Sequence, residues 1–207
     1  MNLVYLFIFI VTSFALNQVW RSILSNRFYY FLIVPGMIVH ELSHILGCFL
    51  VGAKVKEVKL FSKKGGYIVH KKPKLPLLGE IIIALAPIIV GSIISLMISK
   101  NLGLSITNFE IEKLVTIKFW VFFIIVTSIL IEMIPSKADL KNAIGGFVLI
   151  TGIGGLLYWL GWSNLFSSFI SNPGIEKFLF LMVSLESFLL ILSLPFYLIR
   201  AIFSHCK

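Results

Sequence analysis

Residues 28–50 read FYYFLIVPGMIVHELSHILGCFL, and this stretch decides the fold. It is apolar over the length that a helix needs to cross a hydrocarbon core, about 20 residues for roughly 30 Å. It also carries three ionisable side chains, His40, Glu41 and His44. Such side chains are costly inside a membrane and normally face a protein interior or a water-filled cavity, where they are functional. The stretch therefore predicts a membrane helix that carries a functional site.

The rest of the chain has the composition of a membrane protein. Of its 207 residues 58% are hydrophobic and only 13% are charged, whereas a soluble domain of this size needs more polar surface. About six apolar runs cover residues 3–20, 28–50, 75–99, 114–134, 143–162 and 178–203. We therefore predict an all-α membrane protein with about six transmembrane helices, forming a single polytopic domain over residues 1–207 in a lipid bilayer.

The polar stretch 51–74 contains eight lysines. The positive-inside rule places this basic loop in the cytoplasm, so the net charge of +9 indicates a membrane orientation and no nucleic-acid partner. With six crossings, both termini and residues 135–142 lie on the cytoplasmic side, and residues 100–113 and 163–177 lie outside. Alternating apolar residues flank the pair Gly65 and Gly66, which predicts a small cytoplasmic β-hairpin after the second helix.

The chemistry is carried by the motif His40-Glu41-Leu42-Ser43-His44. Two histidines at positions i and i+4 of a helix lie one above the other on the same face, so both imidazoles can bind one zinc ion. Glu41 lies beside the first histidine and can take a proton from a water molecule bound to the metal. The motif predicts a catalytic Zn²⁺ site in which His40 and His44 are ligands and Glu41 is the catalytic base.

A catalytic zinc ion takes three protein ligands and keeps one open position. The candidates for the third ligand are Asp139, Glu80, Glu132 and His70. Asp139 is preferred because it follows Pro135 in a polar break, where a side chain can turn toward a cavity at the depth of His44. The alternative role for Asp139 is to cap the helix that begins the fifth run. Glu80, Glu132 and His70 remain open as ligands.

This combination resembles the site-2 protease family of intramembrane metalloproteases, peptidase family M50. The resemblance covers residues 28–145: the motif in one membrane segment, a basic β-like loop, and a proline-led aspartate two segments later. It implies a zinc metalloendopeptidase that cleaves transmembrane segments of substrate proteins. It also implies His40, His44 and Asp139 as zinc ligands and Glu41 as catalytic base, at a site nearer the cytoplasmic side.

The sequence departs from the family pattern around the third ligand. Glu132 stands where the family often has asparagine before Pro135, and Leu140 stands where it has glycine after Asp139. A different class of function is a catalytically inactive relative that binds membrane partners, or a zinc-handling membrane protein. The intact Glu41 favours the enzyme, and we expect it in the cell membrane; the sequence does not indicate an oligomeric state.

Overall fold

The computed structural model describes residues 2–62, 65–101, 111–162, 168 and 171–205. Its α-helices are α1 Asn2–Ile23, α2 Asn26–Leu50, α3 Pro76–Asn101, α4 Ile117–Glu132, α5 Lys137–Trp159 and α6 Pro173–His205. Two short strands, β1 Val55–Lys59 and β2 Tyr67–His70, follow α2, and a 3-10 turn at Ile111–Val115 precedes α4. The protein is therefore mostly helical, as predicted.

Five of these helices, α1, α2, α3, α5 and α6, are long and apolar enough to cross a membrane. Their outer faces expose large apolar side chains such as Phe31, 79% exposed, and Val148, 66% exposed. Soluble monomers rarely expose contiguous apolar patches of more than a few hundred Å². Both features are compatible with a multi-pass membrane protein.

The fourth predicted segment contains a shorter helix than expected. Helix α4 has 16 residues. A helix of this length spans about 24 Å at 1.5 Å per residue. It ends at Glu132, and α5 already begins at Lys137, six residues before the predicted start of the fifth segment at residue 143. The break between the two segments is therefore only a few residues long.

Helix α2 packs against both α3 and α4, and α5 packs against α3. Gly47 of α2 faces Ile83 of α3, and Val51 faces Gly79, so these two helices run antiparallel. Gly47 is needed for this contact because a Cβ at this position would lie 3.0 Å from the Cα of Ile83.

Helix α4 runs parallel to α2. Gly36 lies against Ser128, and its backbone N–H donates a hydrogen bond of 2.7 Å to the Ser128 hydroxyl. One turn further along both helices, His40 meets the carbonyl oxygen of Glu132. The end of α4 therefore lies at the depth of the first motif histidine.

Helix α5 continues in the direction of α4. Its first turn places Asp139 beside His44, and Gly146 lies against Leu77, near the start of α3. Because α3 starts where α2 ends, α5 runs toward the end of the bundle that carries the strands. Helices α4 and α5 thus run in the same direction, with an interruption at the depth of the histidines.

Helices α1 and α6 pack against each other in parallel. The Asn2 side-chain amide donates to the carbonyl oxygen of Asn172 at 3.3 Å, and the Arg200 guanidinium donates to the carbonyl oxygen of Ile23. Between these contacts the buried Glu186 carboxylate accepts hydrogen bonds from two hydroxyl groups of α1, those of Thr12 and Ser13.

This arrangement corrects the predicted topology. The sequence placed residues 163–177 at the end opposite to the N-terminus and the basic loop, but Asn172 lies beside Asn2. The C-terminal part of α6, predicted on the same side as the N-terminus, lies at the other end, near Ile23. The prediction assumed that the chain reverses direction between α4 and α5, whereas these two helices run in the same direction. Most of residues 100–113 lie outside the described residues.

The predicted β-hairpin is confirmed. Strands β1 and β2 pair antiparallel, with Val58 opposite Ile68 and Lys59 opposite Tyr67. The Tyr67 hydroxyl donates a hydrogen bond of 2.5 Å to the Glu57 carboxylate, and this bond raises the pKa of Tyr67 above its ordinary value. The hairpin lies along α2: Gly66 lies against Glu41, and the ring of Phe61, between the strands, lies 5.7 Å from that of Tyr30 near the start of the helix.

Candidate metal centre

The two motif histidines lie one above the other on a buried face of α2, as their spacing predicts. The ring centroids of His40 and His44 are 4.6 Å apart, and the two Nε2 atoms approach to 3.0 Å. The Nε2 atoms of both rings therefore converge on one point inside the protein.

Each histidine is oriented by a backbone carbonyl of a neighbouring helix. His40 Nδ1 lies 2.5 Å from the carbonyl oxygen of Glu132 in α4, and His44 Nδ1 lies 2.8 Å from that of Ile83 in α3. A carbonyl oxygen only accepts hydrogen bonds, so each neutral ring carries its proton on Nδ1 and keeps a lone pair on Nε2. Metal-binding histidines usually donate their other ring N–H to an acceptor of this kind.

Asp139 completes the group from the first turn of α5. Its Oδ1 lies 3.3 Å from His44 Nε2, and its Oδ2 lies 3.6 Å from His40 Nε2. The same carboxylate closes a capping box with Ser136: the Ser136 backbone N–H donates to Asp139 Oδ2 at 2.8 Å, and the Asp139 N–H donates to the Ser136 hydroxyl at 3.2 Å. Asp139 therefore both caps α5 and faces the two histidines.

The donor set fits a metal ion. The ligand atoms of His40, His44 and Asp139 all lie within 4.8 Å of one another. With both ring protons on Nδ1, three lone-pair-bearing atoms face each other without a hydrogen between them, which is unfavourable unless a cation lies among them. Bonds of about 2.0–2.1 Å in a tetrahedral site separate neighbouring ligand atoms by about 3.3 Å. The observed separations of 3.0, 3.3 and 3.6 Å are close to that value.

The other candidates for the third ligand are placed differently. His70 Nε2 lies 3.8 Å from Glu80 Oε2, so these two residues pair with each other. Glu132 contacts His40 through its carbonyl oxygen. Among the described residues, only His40, His44 and Asp139 form a group that could hold a metal ion, and we call it the metal-binding group.

Glu41 lies in the same cavity as the metal-binding group. The cavity has a volume of about 180 Å³, and its walls include both motif histidines, Asp139 and residues of the hairpin. The Glu41 side chain is 6% exposed and lies directly against Gly66, where a Cβ would come within 2.7 Å of Glu41 Oε1. The hairpin therefore covers the carboxylate that the sequence predicts as the catalytic base.

Sequence reasoning missed three parts of this site. It did not predict the carbonyl groups of Glu132 and Ile83, because any residue supplies a carbonyl and the sequence carries no signal for it. It assigned Gly66 only to the hairpin turn, although the absence of a side chain there also makes room for Glu41.

Comparisons with known proteins give no relative for this chain: no protein-family model, no curated protein and no solved structure matches it.

Proposed function

We propose that this protein is an intramembrane zinc metallopeptidase of the site-2 protease type. Its substrates would be membrane proteins, cleaved within a transmembrane segment. The observation that supports this most is the placement of Glu41 in one buried cavity with His40, His44 and Asp139, among helices apolar enough to cross a membrane.

Zinc is the metal that suits this donor set. Two imidazole nitrogens and one carboxylate are a known ligand set of catalytic zinc, and they leave one position open. His40 Nε2, His44 Nε2 and the Asp139 carboxylate would hold the ion. The bound zinc would supply a Lewis acid that acidifies water and polarises a carbonyl group.

Glu41 is proposed as the general base and then the general acid. Among the residues that line the cavity, it is the carboxylate outside the metal-binding group. It accepts a proton from the attacking water as the water oxygen bonds to the carbonyl carbon. It then gives that proton to the amine nitrogen as the C–N bond breaks.

The surroundings leave room for water and for an extended peptide. Ser136, Asn142 and His70 give the metal cavity polar walls that can bind water. A second cavity of about 470 Å³ is lined by Gly65, the neighbour of Gly66 in the metal cavity, and by Glu132 and Tyr30. A helical peptide hides its carbonyl groups in hydrogen bonds, so the substrate must unwind to reach the site. The two cavities would take the residues on either side of the cleaved bond.

The eight lysines of residues 51–74 support a cytoplasmic location for the hairpin end of the bundle, with the metal site nearer that side of the cell membrane. The hairpin and the first turn of α5 line the same cavity, so both belong to this end of the molecule.

The test combines metal content with cleavage of transmembrane peptides by the full chain, purified in detergent and returned to liposomes. We expect about one zinc per chain in the wild type and in Glu41→Gln, and little in His40→Ala or Asp139→Ala. Cleavage should fall by roughly 10²–10⁴-fold in Glu41→Gln. Glu57→Gln, an exposed hairpin carboxylate outside the metal cavity, is the matched control and should keep both properties.

The outcomes separate the parts of the proposal. A wild-type protein that binds no zinc contradicts the metal site. Zinc binding without cleavage of any transmembrane peptide contradicts the peptidase and favours a non-catalytic zinc protein. Full zinc retention in Asp139→Ala contradicts the assignment of the third ligand.

A further inference from the structure

A cleft of about 550 Å³ lies between the end of α2 and the start of α3. Its walls are apolar, formed chiefly by Phe49, Leu50, Leu75, Leu78 and Ile82. The volume is in the range of small-molecule sites, about 300–1,000 Å³. The cleft shares no lining residue with the metal cavity, so it is a separate feature of the surface.

One cationic side chain, that of Lys74, lines this apolar cleft. Its aliphatic stem lies along Gly52, where a Cβ would come within 3.2 Å of Lys74 Cε. Gly52 has a φ of 66°, a conformation that glycine adopts without strain. Among the described residues, ion pairs involve only histidines, so the Lys74 ammonium group has no carboxylate partner there.

The loop that carries Lys74 is positively charged. Lys54, Lys71 and Lys72 are exposed in the same loop. The loop's carboxylate, Glu57, accepts a hydrogen bond from Tyr67. Lys74 also immediately precedes the apolar stretch that begins α3, so with the helices in a bilayer its ammonium group lies at the level of the lipid headgroups.

We propose that this cleft binds an anionic phospholipid, with one acyl chain against the apolar walls and the phosphate on Lys74. The apolar walls suit a hydrocarbon chain, whereas a peptide backbone in the same place would leave polar groups without hydrogen bonds. The lone cation selects the anionic headgroup over a zwitterionic one. The inference depends on the membrane placement proposed above and not on peptidase activity.

The experiment measures lipid binding to the detergent-purified full chain by native mass spectrometry. The ligands are phosphatidylglycerol and phosphatidylcholine with identical oleoyl chains. One lysine near a headgroup contributes about 1 kcal/mol, so we expect about a fivefold preference for phosphatidylglycerol. Lys74→Gln should remove that preference, while Lys56→Gln, an exposed lysine of the same loop outside the cleft, should keep it.

A second variant tests the acyl-chain part of the site. Ile82→Trp should fill the cleft and weaken binding of both lipids by about tenfold, an estimate based on the loss of several buried methylene contacts. Ile89→Trp lies two turns further along the same exposed face of α3, outside the cleft, and is the matched control. It should bind both lipids as the wild type does.

Three results would overturn the proposal. The first is an equal affinity of the wild type for the two lipids. The second is an equal effect of Lys56→Gln and Lys74→Gln, which would indicate general attraction by the basic loop. The third is competition by water-soluble glycerol phosphate at the lipid's own concentration, which would indicate a site for free phosphate. Glu41→Gln should bind lipid normally, so a failed peptidase proposal leaves this test intact.

Discussion

Asp139 belongs both to the cap of a helix and to the candidate metal site. Its Oδ2 accepts the Ser136 backbone N–H, and this bond holds the carboxylate in the orientation that faces His40 and His44. The capping box would therefore hold the Asp139 carboxylate in position before a metal ion binds. Hydrogen-bond partners outside the ligand set often orient metal ligands in this way.

We predict that Ser136→Ala weakens zinc binding, because the Asp139 N–H loses the Ser136 hydroxyl as its acceptor and the first turn of α5, which carries the carboxylate, is less firmly held. The expected loss is about tenfold in zinc affinity and about 1 kcal/mol in the free energy of unfolding. Competition with a chromophoric chelator measures the first and thermal unfolding measures the second. Thr116→Ala removes the equivalent cap of α4, where the Thr116 hydroxyl accepts the Phe119 N–H, and should lower stability alone. Equal losses of zinc affinity in both variants would contradict the positioning role of Ser136.

At the residue scale the sequence predicted the side chains of the metal-binding group but not the groups that hydrogen-bond to its histidines. The spacing of His40 and His44 places both rings on one helix face, and the polar break places Asp139 near them. Those groups are backbone carbonyls of α3 and α4, which become neighbours of α2 only through tertiary packing.

The helices hold the metal group through close contacts at glycine. Gly36 allows α4 to approach α2, and a Cβ at this position would lie 2.0 Å from the carbonyl oxygen of Ser128. That approach brings the Glu132 carbonyl oxygen to His40, one turn further along. The packing of α2 on α4 and the orientation of the first ligand are therefore coupled.

We predict that Gly36→Ala lowers both stability and zinc affinity, because α4 must move away and its carbonyl leaves His40 Nδ1. Overpacking of this kind costs typically 1–3 kcal/mol. Gly152→Ala is the matched control, since Gly152 lies within α5 with no atom within 4 Å of its would-be Cβ. It should leave zinc affinity unchanged and, by helix propensity, raise stability by up to about 1 kcal/mol. Unfolding curves and chelator competition measure both. Wild-type zinc affinity in Gly36→Ala would contradict the coupling.

At the scale of elements the sequence predicted the long helices and the hairpin, because apolar runs and a glycine pair report them directly. It placed the end of α4 at residue 134, two residues beyond Glu132, but the start of α5 at residue 143, six residues after Lys137. Hydropathy does not report where a helix starts, because the start depends on N-caps such as Ser136. The exact end of a helix depends on the partners of its last carbonyl groups. One of these carbonyls, that of Glu132, accepts its hydrogen bond from His40.

For the whole molecule, the direction of α5 decides the topology. Hydropathy measures the length of an apolar run and carries no information about whether two successive runs reverse direction or continue. Here α4 ends and α5 begins beside the candidate metal site. Such a break in a membrane helix is expected where the backbone lines a cavity. Asn2 and Arg200 therefore lie at opposite ends of the bundle.

This topology predicts which positions face the same side of the membrane. With Cys48 and Cys206 replaced, single cysteines at Lys72, Ser171 and Ser25 can be labelled in sealed inverted and right-side-out vesicles with a membrane-impermeant maleimide. Lys72→Cys and Ser171→Cys should react from the same side, because Ser171 precedes Asn172, which contacts Asn2 at the hairpin end. Ser25→Cys, in the turn between α1 and α2, should react from the other side. If Ser171→Cys is labelled from the same side as Ser25→Cys, then α4 and α5 each cross the membrane. That result would contradict the shared direction of these two helices.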